Sequence, residues 1–123
     1  MAENRRLTRL TKICLALPEA TRELHNSHAS FAVRGRKFAY FLDDHHGDGI
    51  VAVSFRALPG ENDVLIASDP TRFFMPSYLG PRGWAALHLD VGPIDWDEVA
   101  ELVTDSYCLG APKRLVALVA QPG

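Results

Sequence analysis

Three alternating runs in succession constrain this chain most. In His28-Ala-Ser-Phe-Ala-Val-Arg34, Ala29, Phe31 and Val33 point one way, and His28, Ser30, Ala32 and Arg34 the other. Gly35-Arg36 suits a tight turn. A second run follows over Lys37–Leu42 with three aromatics, and a third over Ile50–Phe55. Period two, short connections and turn residues between the runs predict strands in series, an antiparallel meander. A sheet built this way has one face that must be covered.

The flanks supply the cover. Leu7, Leu10, Ile13, Cys14 and Leu17 recur at three- and four-residue steps, so they share one helix face, with Arg5, Arg9 and Lys12 on the opposite face. Pro18 ends that helix. Residues 59–68 suit a short helix with Pro59 in its first turn. Asp69 to Gly83 reads as an ordered loop and Trp84–Leu89 as a fourth strand. Asp95 and Glu98 have capping-box spacing before the apolar face of Trp96, Val99, Leu102 and Val103. That helix should reach about Cys108, with Gly110 as its C-cap. Residues 112–120 form a last short helix. The expected class is α+β, in element order α-β-β-β-α-β-α with a final α: a single two-layer domain over residues 1–123, an antiparallel β-sheet with helices packed on one face. Both amphipathic helices should lie on the same side.

Composition narrows the function. The 123 residues carry 13 Lys and Arg against 15 Asp and Glu, a net charge of -2. That balance counts against strong non-specific nucleic-acid binding, though not against a local basic patch. Hydrophobic residues make up 47%, the globular range. Charges interrupt the N-terminal segment, and no run approaches the roughly 18 apolar residues of a membrane span. The expectation is a cytoplasmic protein with no membrane association and reduced thiols. Cys14 falls on the apolar helix face, where core packing explains it.

Three stretches, HASFAVRGRKFAYF, DPTRFFMPSYLGPRGW and DSYCLGAPKRL, together resemble the MmcQ/YjbR family. The similarity runs from the first helix to Lys113-Arg114, and its most specific parts are the Trp84 segment and the Ser106-Tyr107 pair. The resemblance implies a small α+β domain with one antiparallel sheet and helices on it. It also implies DNA binding through a double wing of hairpins, and no catalytic residues. The segment Gly80-Pro81-Arg82-Gly83-Trp84 keeps the arginine of the family pattern but has Gly and Pro in place of its polar neighbours.

The densest cluster of ionisable residues is Asp-Asp-His-His-Gly-Asp-Gly, Asp43 to Gly49. Adjacent histidines point to opposite sides of an extended segment, and no third ligand from a rigid element is evident, so neither metal nor cofactor is expected. Asp48-Gly49 is turn chemistry, which favours a hairpin tip. Three aspartates there would repel phosphate, so of the two hairpins only the first, with Arg34, Arg36 and Lys37, suits a wing against DNA. Six acids over residues 90–105 mark a solvated helix face. Glu19 and Glu23 follow Pro18 and read as loop or turn. Neither a nucleophile elbow, a zinc-protease helix motif nor a phosphate-cradling glycine loop occurs, so no catalytic residue is named.

Two readings remain. One is nucleic-acid contact, DNA above all, through Arg34, Arg36, Lys37, Arg82, Lys113 and Arg114, with Trp84 exposed for base stacking. The other is a small-ligand- or protein-partner-binding module on the uncovered sheet face, which His28, Ser30 and His88 would share.

Overall fold

The structure, a computed structural model, describes residues 3–44, 47 and 49–120. It opens with helix α1, Arg5–Leu15, whose amide at Arg6 donates to the side chain of the N-cap Asn4 (2.9 Å). Four strands follow: β1 Ala20–His25, β2 His28–Val33, β3 Arg36–Asp43 and β4 Val51–Arg56. Then come α2 Glu61–Ser68, the two-residue β5 Phe73–Phe74, a 3-10 turn at Gly80–Arg82, β6 Trp84–His88, α3 Trp96–Gly110 and α4 Lys113–Ala120. The strands form one antiparallel sheet in the order β1-β2-β3-β4-β6-β5. The α+β expectation and the meander hold.

The period-two pattern becomes the core. Ala29, Phe31 and Val33 of β2, Ala39 and Phe41 of β3, Val53 and Phe55 of β4, and Ala85 and Leu87 of β6 are all buried on one face. They meet Leu7, Leu10 and Cys14 of α1, Val99, Val103 and Tyr107 of α3, and Leu115 of α4 in one cluster. Both amphipathic helices therefore cover the same side, as alternation requires. Burial pushes the Cys14 thiol far above its ordinary range, which fits a packing role. Helix α2 reaches the same core with Leu65 and Ile66 but lies at the sheet's far edge. There β5 pairs only with Ala86 and Leu87 of β6. The buried Asn62 side chain donates to the carbonyls of Trp84 (3.0 Å) and Gly80 (3.1 Å), closing part of an edge that no strand covers.

Two elements differ from expectation. Residues 20–25, expected as loop or turn with Glu23, form the edge strand β1. It pairs along its whole length with β2 (Ala20↔Val33 to His25↔His28), and Asn26 in the left-handed region turns the chain. Phe73–Phe74, expected as loop, adds the short strand at the other edge. The capping box is also half of what its spacing suggests. Asp95 Oδ1 accepts from the amides of Asp97 and Glu98, but the Glu98 carboxylate is drawn to Arg72, at 2.6 and 3.3 Å. In the β3–β4 connection, Asp44 Oδ1 accepts from the Gly49 amide (2.7 Å). The reading of the tip rests on His45, His46 and Asp48, which lie outside the described residues.

A β-bulge sets how α3 docks. The β2–β3 register passes from Phe31↔Ala39 to Ala32↔Lys37, so Phe38 is the extra residue. Its ring turns into the core, edge-on to Tyr107 (5.4 Å between centroids, 86°). Its carbonyl leaves the ladder and accepts from Ser106 Oγ at 2.6 Å. Ser106 Oγ in turn accepts from the Arg56 amide at 2.9 Å, and Tyr107 donates its hydroxyl to the Pro18 carbonyl at 2.6 Å. Ser106→Ala removes the partner of the buried Phe38 carbonyl without changing volume much. We expect urea denaturation to show a loss of about 1–3 kcal/mol, the cost of an unsatisfied buried polar group.

Candidate ligand-binding face

The second face of the sheet follows from the same alternation. Register places its residues in transverse rows: His25, His28, Leu42, Ala52 and His88 in one; Glu23, Ser30, Tyr40, Ser54 and Ala86 in the next. His28, Ser30 and His88 do share this face. They do not converge, because His28 and His88 are three strand spacings apart, about 14 Å. Ser30 is buried and accepts from Lys37 Nζ (3.2 Å), while His88 stacks its ring on Phe74 at 4.6 Å.

This face is not simply solvated. Ser30, Ala32, Ala52, Ser54, Trp84 and Ala86 are all buried. Cover at the β4–β6 side comes from the chain after β5, which turns back over the strands. Between it and the sheet lies a partly enclosed cavity of about 400 Å³. Tyr40, Leu42 and Ser54 form its floor; Phe74, Met75, Pro76 and Leu79 form its wall; Ile50, Ser77 and Tyr78 stand at its margins. None of these side chains is charged. Gly80 fixes the wall, since a Cβ there would stand 2.5 Å from Met75 Cγ and Sδ. Tyr78 is 80% exposed and holds a left-handed backbone (φ 66), an uncommon state for a non-glycine residue. His28, Ser30 and His88 share the face with this cavity but are not among the residues that line it. The residues that line it were read from sequence only as strand aromatics and loop. The run Phe73-Phe74-Met75-Pro76-Ser77-Tyr78-Leu79 carried the signal: it is too apolar for a freely solvated loop.

The seven residues named for nucleic acid divide among several places. Arg34, Arg36, Lys113 and Arg114 gather where the β2–β3 turn meets the α3–α4 junction. Arg34 forks onto Glu19 (2.6 and 3.0 Å), Arg114 reaches the same carboxylate at 3.5 Å, and Arg36 lies against Gly110. The Arg34 hydrogen bonds hold the Glu19 carboxyl below its ordinary range. Lys37 points to the second face, between Glu23 (3.3 Å) and Ser30. Arg82 is exposed beside β6, three strands from β2. Trp84 is the clear correction: expected as an exposed stacking ring, it is 7% exposed and packs on Tyr40 (5.4 Å between centroids). Its large apolar ring is worth more inside, beneath the segment that returns from β5, than in water. Among the described residues, no three His, Cys, Asp or Glu side chains are grouped to hold a metal ion, and no helix is long and apolar enough to cross a membrane.

Residues 15–109, the sheet, α2 and nearly all of α3, match the YjbR family model. The chain belongs to the YjbR family. Two solved structures share its fold. A Deinococcus radiodurans protein with a DUF419 domain superposes with a TM-score of 0.70 at 21% identity, covering 94% of this chain and 88% of its own. A Pseudomonas syringae protein gives 0.65 at 14% identity, covering 89% and 98%. At such identities the likeness is one of fold. No curated protein matches the chain. Within this YjbR domain, Trp84 acts as core. Trp84→Ala should cost about 3–5 kcal/mol in chemical denaturation, the range for truncating a buried large aromatic. A loss under 1 kcal/mol would return the ring to the surface.

Proposed function

We propose that this YjbR protein is a binding module, not an enzyme, that takes a neutral, mainly apolar small molecule into the cavity on the second sheet face. The observation that carries this reading is the uncharged lining of a cavity of about 400 Å³, a volume within the range of small-molecule sites. The hydroxyls of Tyr40, Ser54, Ser77 and Tyr78 are the polar groups available to orient a guest. Ser54 already donates to the Ala85 carbonyl (3.3 Å), so Tyr40, Ser77 and Tyr78 are the freer groups. An exposed aromatic held in an unfavourable backbone state beside a cavity also fits a binding role.

Nile red, a neutral dye, tests it. Its emission should rise and shift to the blue with one saturable site. Leu42→Lys puts a charge on the cavity floor and should weaken binding at least about tenfold, since burying an unpaired charge costs well over 1.4 kcal/mol. Tyr78→Ala, at an exposed position, should weaken binding without lowering Tm. Absence of saturable binding, or binding indifferent to both variants, would contradict the proposal.

Nucleic-acid contact is the second reading, and one observation favours it: Arg34 and Arg114 share a single carboxylate, Glu19, at a junction whose chain also carries Arg36 and Lys113. Any such binding should be weak and salt-sensitive, with a slope of log K on log salt near -0.9 for each phosphate contacted in duplex DNA. Glu19→Gln releases Arg34 and Arg114. It should tighten the binding of a labelled oligonucleotide in fluorescence anisotropy and steepen that slope. An oligonucleotide that fails to bind at low salt, with or without Glu19→Gln, would remove this reading.

A further inference from the structure

Helix α1 carries two arginines where its own dipole opposes them, while Lys12 lies in its last turn. Arg5 and Arg6 occupy the first turn, at the positive end of the helix dipole, and no acid accompanies them there. Arg5 and Arg9 are a like-charge pair at i,i+4, and Arg9 and Lys12 another at i,i+3, each mildly destabilising. Among the described residues, none of the four forms an ion pair with a carboxylate. The acids nearby are engaged elsewhere or stand apart. Glu3 holds Arg22 and Thr8, each at 2.8 Å, Asp95 caps α3, and Asp97 is exposed without an ion pair to the stripe. Local conflict of this kind, on a helix whose other face is well packed, is the mark of a functional surface.

The stripe faces a groove. Its cations line one side and Ile94 and Trp96 the other, around a volume of about 540 Å³. Arg9 is held in place, its guanidinium 5.5 Å from the Trp96 ring centroid. From Arg5 to Lys12 the helix rises about 10 Å, so long side chains can close from both ends on a compact anion. An extended strand would need a cation track that continues beyond one helix, whereas here the cations end with α1 and Ile94 and Trp96 stand beside them.

We propose that this groove binds a small soluble anion bearing two or three linked phosphate groups. Four cations match the three to four negative charges of such a chain near neutral pH, and guanidinium forks suit phosphate oxygens. The site is separate from the second-face cavity and rests on neither reading above.

Inorganic orthophosphate, pyrophosphate and tripolyphosphate, titrated by calorimetry and by tryptophan emission, test the proposal. Affinity should rise with chain length, tripolyphosphate binding at least about tenfold more tightly than orthophosphate, given the strength of charge-assisted bonds. Emission should change as Arg9 leaves the Trp96 ring, a signal that Trp96→Phe removes without abolishing the calorimetric heat. The combined Arg5→Gln, Arg9→Gln, Lys12→Gln variant should lose binding while staying folded, since relief of repulsion offsets the lost Arg9–Trp96 contact. Any of four results would overturn the proposal: absence of tripolyphosphate binding at low salt, unchanged binding in the triple variant, a triple variant that no longer folds, or binding of an oligonucleotide but not of tripolyphosphate.

Discussion

The Ser106 hydroxyl joins the two layers of this protein. It donates to the Phe38 carbonyl that the bulge in β3 has freed and accepts from the amide at the end of β4. One side chain on α3 therefore fixes that helix against two adjacent strands. Its neighbour Tyr107 packs on Phe38 and reaches back to Pro18, tying in the connection between α1 and β1. Arg22 of β1 completes the link, bonding both Glu3 and Thr11 of the α1 region. With α3 and α1 committed to one side, the other side of the sheet is left for a different use.

That second side explains the shape of the candidate site. Alternation gives it small residues, Ala52, Ser54 and Ala86, in the middle strands, where bulky ones would fill the space. The segment after β5 packs Met75 against Gly80 and leaves a cavity with Ser54 on its floor. Trp84 and Tyr40 bound this region as packed aromatics. The same geometry that buries Trp84 removes it as a stacking platform and makes it part of the packing of the second face.

Much of this architecture is legible in the sequence because burial enforces period. Strands β2, β3, β4 and β6, and helices α1 and α3, each turn one face into the main apolar cluster, so the apolar residues of that face repeat at two or at three-to-four. Strand β1 is an edge strand with polar residues on most positions, and its strand state comes from the β2 ladder, which no local pattern reveals. Strand β5 is too short to show any period. Pairing preferences escaped for a similar reason. Glu98 has the spacing to close a capping box, yet Arg72, 26 residues earlier in the chain, competes for it through a two-pronged contact. Alternation correctly put His28, Ser30 and His88 on one face, but only the strand order shows that two strands separate the histidines. The exposure of Trp84 depended on what the chain between β5 and β6 does, and loops leave no such period.

The central claim is that the second sheet face, at its cavity, is where this YjbR domain meets a ligand. Backbone amide chemical shifts, followed while a neutral aromatic such as naphthalene is titrated into the labelled protein, address it most directly. The account predicts saturable shifts concentrated at Leu42, Ser54, Phe74, Met75 and residues 77–79, with α1 and α4 unmoved. Shifts absent from those positions, or centred instead on α1 or on the β2–β3 turn, would contradict it.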